Sequence, residues 1–248
     1  MVDVKVRDGS ALARGRALTD INVHLALDDA GTALIIDRAR AQLYGGTVSA
    51  NGRVEVGGQS GTGAYSIDVN IVGSSLHGIA GRSDDQATAP PEQAGPTGTD
   101  GTVYASLALE GTRDSAAERR GRGSVRVVDG TLASNPLTLP LLQLSQLMLP
   151  LDASLDYAES SFFLQGNDIT IEHFLLEGDA LVLAGYGSAD FETLDVDLRL
   201  RSRGRMGGLS ELIASISGQL YGIHVTGPIG ETKASIVAMP NLAGFFER

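Results

Sequence analysis

Leu194, Val196, Leu198 and Leu200 alternate with Asp195, Asp197, Arg199 and Arg201, and the same period of two recurs along almost the whole chain. Successive side chains of a β-strand point to opposite faces, so this pattern specifies a half-buried strand with one apolar face and one charged face. Repeated many times, it specifies a sheet whose apolar face must be covered by protein, lipid or another apolar partner. The functional question is what covers it.

Further strands follow from the alternation of Ile21, Val23, Leu25 and Leu27, of Val48, Ala50, Val54 and Val56, and of Tyr65, Ile67, Val69 and Ile71. Strands resume at Val103, Ala105, Leu107 and Leu109, then at Val125 and Val127, and near the end at Ile223, Val225, Ala234, Ile236 and Ala238. The segment Ala39 to Gly52 aligns weakly with His173 to Tyr186. Each is an apolar strand, a glycine turn and a second strand running into glycine, which is a hairpin whose glycines supply positive φ. Stacked hairpins build an extended, curved antiparallel sheet, a β-groove or taco-like form, rather than a compact sandwich. A β-sandwich remains the alternative.

Three segments interrupt the pattern. Between Arg82 and Asp100 there is no Val, Leu, Ile or aromatic residue, so that stretch cannot bury enough surface to order itself and is expected to be a linker or long loop. Leucines lie nearly all round from Leu137 to Leu151, bracketed by Pro140 and Pro150, which predicts a short helix near 138–149. Leu209, Leu212, Ile213, Ile216 and Leu220 fall at helical spacing after Gly207 and Gly208, predicting an amphipathic helix near 208–220. Both helices are expected to pack on the apolar face of the sheet. The organisation expected is a β-hairpin segment over 1–81, a linker over 82–100 and a β-rich region over 101–248. The charged stretch from Thr112 to Arg122, with Arg113, Arg119, Arg120 and Arg122, is expected to be a solvated loop.

Composition removes several function classes. Thirty acidic against nineteen basic residues give a net charge of −11, which repels phosphate backbones and argues against nucleic acid as a partner. Aromatics are only 5% and tryptophan is absent, so aliphatic side chains must do the packing. The absence of cysteine excludes disulfides and thiolate metal sites. No apolar run approaches the ~20 residues of a membrane-spanning helix, and Met1 leads straight into Val2, Val4 and Val6 without a signal peptide. A chain starting inside a strand pattern is expected to be a piece of a longer protein.

A search for chemistry finds no catalytic and no metal-binding residue. His24, His77, His173 and His224 lack the spacings of metal sites. His24 and His224 occupy outward strand positions, and the Asp195 and Asp197 pair is followed on its face by Arg199 and Arg201, which makes a solvated charge ladder. No GxSxG elbow and no complete SxxK set is present. The glycine pairs Gly61 and Gly63, Gly121 and Gly123, and Gly185 and Gly187 each precede strand-like sequence instead of a helix N-terminus, so they are assigned to strand edges and turns. The chain is expected not to be an enzyme and to need no cofactor.

Three stretches together carry a resemblance. They are Gln42 to Gly52 (Gln-Leu-Tyr-Gly-Gly-Thr-Val-Ser-Ala-Asn-Gly), Gly121 to Leu132 (Gly-Arg-Gly-Ser-Val-Arg-Val-Val-Asp-Gly-Thr-Leu), and Ile223 to Pro240 with Val225-Thr226-Gly227-Pro228 and the closing Met239-Pro240. Their order, with the leucine and proline segment after the second and the amphipathic segment before the third, resembles the C-terminal region of AsmA-like bacterial envelope proteins, related to TamB-type and other repeating β-groove proteins. The resemblance is clearest from Gly121 to Arg248 and rests on short, glycine-driven motifs. It implies a periplasmic β-groove attached to the inner membrane in the full-length parent, carrying phospholipid between inner and outer membranes or aiding outer-membrane assembly. The partners it implies are phospholipid acyl chains, the membrane and other envelope proteins. This chain departs from the family in being short and in lacking the anchor helix.

On that reading the groove is lined by Ile67, Val69, Ile71, Leu107, Leu109, Leu194, Val196, Leu198 and Leu200. The alternative is a structural or protein-docking β module whose apolar face is sealed by Leu141, Leu144, Leu212 and Ile216. Deleting Asp84 to Thr99 is expected to leave the melting temperature within a few degrees of the intact chain, because the segment has nothing to bury; calorimetry of the two proteins checks this.

Overall fold

The computed structural model describes residues 3–13, 16–56, 63–80, 101–131, 154–179, 181–202, 221–228 and 231–238. They form β1 (Asp3–Ala13), β2 (Arg16–Leu27), β3 (Ala33–Leu43), β4 (Gly46–Glu55), β5 (Ala64–Ser75), α1 (Leu76–Ala80), β6 (Thr102–Thr112), β7 (Ser115–Thr131), β8 (Ser154–Gln165), β9 (Asp168–Gly178), β10 (Leu181–Asp190), β11 (Asp195–Ser202), β12 (Tyr221–Pro228) and β13 (Lys233–Ala238). All thirteen strands join one sheet in sequence order, each antiparallel to its neighbours. The expected mainly β fold, an extended and curved antiparallel sheet, is what the chain adopts. Among the described residues β1 and β13 each have one neighbour, so the sheet is open.

Cross-strand register sorts the side chains. Val225, Leu198, Gly187, Ile171, Phe162, Gly123, Leu107, Val69, Ala50, Ala39 and Val23 lie opposite one another in a row that crosses eleven strands. Flanking rows on the same face run through Leu200, Gly185, Phe174, Ser160, Val125, Ala105, Ile71 and Val48, and through Val196, Ala189, Ile169, Leu164, Gly121, Leu109, Ile67 and Gly52. The other face carries Asp68, Arg122, Ser124, Asp197 and Arg199. Residues on either side of 81–100 belong to the same sheet, since β5 pairs with β6 from Ala64↔Thr112 to Ser75↔Thr102. The expected linker, and the helices expected near 138–149 and 208–220, lie outside the described residues.

Two expectations are corrected. The stretch from Thr112 to Arg122 is a tight turn at Arg113 and Asp114 followed by the first half of β7. Its strand character is hidden because the apolar face there is held by Ala117, Gly121 and Gly123, too small to register as alternation. The pairs Gly121 and Gly123, and Gly185 and Gly187, are likewise inside strands rather than at edges or turns. A Cβ at Gly123 would overlap the Phe162 ring, and Cβ atoms at Gly185 and Gly187 would overlap the carbonyl groups of Arg199 and Asp197. These glycines let neighbouring side chains and backbone lie across them. Gly63 differs: it has a φ of 63° at the mouth of β5, while Gly61 lies outside the described residues.

The aligned hairpin segments are the β3–β4 and β9–β10 hairpins. The first turns on Tyr44 and Gly45 at φ 47° and 80°, two positive values in succession, as a two-residue hairpin loop matched to strand twist requires. The short helix α1 has no counterpart in the sequence analysis. Ser75 Oγ accepts the Gly78 N–H at 3.2 Å, capping it, and Leu76 and Ile79 pack with Val103 and Val127.

The β2–β3 turn is fastened by one carboxylate. Asp28 accepts the Ala33 N–H at 3.0 Å, the Thr32 N–H at 2.7 Å and the Thr32 hydroxyl at 3.1 Å, and pairs with Arg53 of β4 at 2.8 Å. The Ala33 N–H foremost, with the Thr32 and Arg53 bonds, holds the Asp28 carboxyl at about 2, below its usual 3.8. A depressed carboxyl stabilises the fold above its ordinary value and ceases to do so as pH falls through its folded value. Asp28→Ala is therefore expected to melt below the parent at pH 5–7, with the gap closing between about pH 4 and pH 2; melting curves of both proteins across that range check it.

Candidate functional site

The apolar face changes character along the sheet. Toward the C-terminal strands it is a closed core: Leu183 and Val225 are 0% exposed, and Leu176, Leu198 and Leu200 are 1% exposed. They form one buried cluster with Val127, Ala158, Phe174 and Val196. Across β4 to β6 the same rows are only half-buried, including Ile67, Val69, Ile71, Leu107 and Leu109. The open part of the face is therefore in the N-terminal half.

The nine residues singled out in the sequence divide accordingly. Ile67, Val69 and Ile71 of β5 face Leu109, Leu107 and Ala105 of β6 and form the half-buried patch. Val196, Leu198 and Leu200 of β11 share that face but are inside the closed core. Leu194 joins neither group. It stands before β11 at φ 59°, 39% exposed, with its N–H donating to the Asp190 carbonyl at 2.9 Å. The reason is local: the Asp190 carboxylate accepts the N–H groups of Thr193 at 2.7 Å and Glu192 at 2.8 Å, an Asx turn that stops β10 and ends the alternation one residue before Asp195. Those two bonds, Thr193 first, lower the Asp190 carboxyl below its ordinary value.

The polar face satisfies itself. His224 Nε2 lies 2.8 Å from Asp197 Oδ1, and His24 Nδ1 lies 3.1 Å from Asp37 Oδ2. Both histidines thus occupy the outward positions expected of them, and Asp197 is engaged across strands. A shallow cleft of about 720 Å³ crosses β4 to β9 on this face. Within it Asn51 donates to Asp68 at 3.2 Å, the Ser106 and Ser124 hydroxyls meet at 2.9 Å, and the Arg122 guanidinium stacks 4.3 Å from the Phe163 centroid. These groups answer one another, as in a solvated ladder.

Among the described residues no three His, Asp or Glu side chains come together as a metal site, and no helix is long and apolar enough to cross a membrane. Comparison with protein-family models, curated proteins and solved structures returns no match, so the fold and its side chains carry the functional argument.

Charge scanning distinguishes the two parts of the face. Leu198→Glu buries an unpaired carboxylate and is expected to cost on the order of 3–5 kcal/mol. Leu107→Glu leaves its carboxylate within reach of water and is expected to cost about 1 kcal/mol. Urea unfolding of the two variants beside the parent checks the difference.

Proposed function

We propose that this chain is a non-enzymatic, lipid-binding β-groove of the bacterial cell envelope, serving phospholipid transport between inner and outer membranes or outer-membrane assembly. The observation that carries the proposal is the half-buried aliphatic patch Ile67, Val69, Ile71, Leu107 and Leu109, set within rows of apolar residues and glycines that cross the sheet. An acyl chain laid there gains ~25 cal/mol for each Å² of apolar surface it removes from water. Hydrocarbon is a better match than a polar ligand because the three rows through the patch offer only Ser160 as a side-chain hydrogen-bonding group. The motif resemblance to AsmA-like proteins supports the same reading, and with it a periplasmic location within an inner-membrane-anchored parent.

A second reading applies to the other end. The closed core around Leu183, Leu198 and Val225 favours a structural or protein-docking role for the C-terminal strands, with cargo confined to β4–β6. Solvent extraction and mass spectrometry of the purified protein test the proposal. Co-purified phospholipid is expected, with Leu107→Glu folded but free of it. A parent that carries no lipid and takes none from vesicles refutes the groove.

A further inference from the structure

The half-buried patch ends at a wall. Beyond it, Ser74, Val103, Val127, Ala158, Leu176 and Leu183 lie opposite one another in a row from β5 to β10, and all six are buried. The helix α1 covers this row on β6 and β7, where Leu76 and Ile79 join Val103 and Val127 in one apolar cluster. Leu76 Cδ2 and Val127 Cγ1 close on the same spot, 3.4 and 3.2 Å from where a Cβ of Gly101 would stand. Burial relaxes with distance from the helix. On β6 it falls from Val103 to half-buried Ala105, Leu107 and Leu109, and on β5 from Ser74 to half-buried Ile71, Val69 and Ile67.

The helix is held from two sides. The Leu76 N–H donates to the Gly101 carbonyl, just before β6, at 3.0 Å, and the Ser75 N–H donates to the Tyr44 carbonyl in the β3–β4 turn at 3.0 Å. The Tyr44 ring lies against Gly78, where a Cβ would overlap it. A five-residue helix does not stand by itself, so these contacts fix where it lies. A second wall flanks the patch: the Phe162 ring of β8 lies across Gly123 of β7, which is opposite Leu107 in the same row. An apolar chain on β5 and β6 meets Phe162 if it runs across the strands toward β8. It meets α1 if it runs along them toward Ser74.

We infer that α1 is the end stop of the lipid groove: Leu76 and Ile79 meet the terminal methyl of an acyl chain lying along β5 and β6, and so set the acyl length that the protein accepts. This rests on the lipid reading above and adds which chains the groove takes and which way they point. The ester end of the lipid must keep its polar atoms in reach of water, and the α1 end of the rows is the buried one. The headgroup therefore lies toward Tyr65 and the methyl toward Leu76. From Ile67 to Ile71 is four residues, ~14 Å at strand rise, close to the ~15 Å that an acyl chain spans in half of a ~30 Å hydrocarbon core. Ile79 is only half-buried, so it can be resized without opening the core around Leu76.

Lysophosphatidylglycerols of increasing saturated chain length, each below its micelle concentration, are bound to the full chain and read by displacement of a fluorescent lipid. Affinity is expected to rise by up to ~4-fold with each methylene buried, then to level off at the length whose methyl reaches α1. Ile79→Ala should move that break to longer chains and Ile79→Phe to shorter ones. A chain at the parent's break then binds the Phe variant severalfold more weakly, while longer chains bind the Ala variant severalfold more tightly. Phe162→Ala removes the side wall and should weaken binding at every length without moving the break. Melting curves accompany each variant, and if Ile79→Phe melts early, Ile79→Ala beside Phe162→Ala keeps the test valid. Affinity that rises steadily through the whole series in the parent, or a break that stays in place in Ile79→Ala, overturns the end stop and leaves the groove standing. Failure to bind at any length overturns the groove itself.

Discussion

Everything in this molecule depends on one backbone constraint: each strand hydrogen-bonds only to its sequence neighbours, and the register of every pair must keep apolar positions on the same side. A slip of one residue would send a strand's aliphatic side chains to the solvent face. Over thirteen strands such slips would accumulate unless they were corrected, and the bulges provide the correction. Ile171 and Phe174 are three residues apart yet both face the apolar side, because the β9 ladder shifts between them opposite Gly185 and Gly187. Ile36 and Ala39 keep their common face through a shift of the same kind against β4. An extra residue at each point restores the parity that the alternation alone would lose.

This explains which parts of the fold were legible in the sequence. Strands with unbroken alternation, such as Ile67 to Ile71 and Val196 to Leu200, could be assigned to a face directly, and the stacked-hairpin sheet followed from their number. Two kinds of position could not be assigned. Glycines inside β7 and β10 carry no hydropathy, so a row that needs space for Phe162 or for the backbone of β11 is indistinguishable from a turn until the neighbour is known. Leu194 fits the alternation perfectly, and only the hydrogen bonds of Asp190 remove it from the strand. The helix α1 is five residues long, too short to show a helical period, and its contacts with Val103 and Val127 depend on the tertiary arrangement.

The apolar face was legible in its membership and not in its burial. Alternation identifies the members of an apolar face but carries no information about what lies above them. Ile67 and Leu198 therefore look alike in the sequence and differ in the structure, one half-buried and the other 1% exposed. The charged stretch around Arg119 was opaque for a related reason. Four arginines within eleven residues suggest solvent, yet parity divides them: Arg120 and Arg122 go to the polar face, where Arg122 stacks on Phe163, while Arg119 turns to the margin of the apolar one.

The two faces consequently end in different states. On the polar face the prominent groups find partners within the sheet, His224 with Asp197, Asn51 with Asp68, Arg122 with Phe163, so this face is stable against water without a ligand. Between β4 and β6 the apolar face carries no comparable polar pairing, and Ile67, Val69, Ile71, Leu107 and Leu109 stay half-buried. The lipid proposed above would cover that half-buried patch and leave the polar face as it is, so the asymmetry between the two faces is what the proposal rests on.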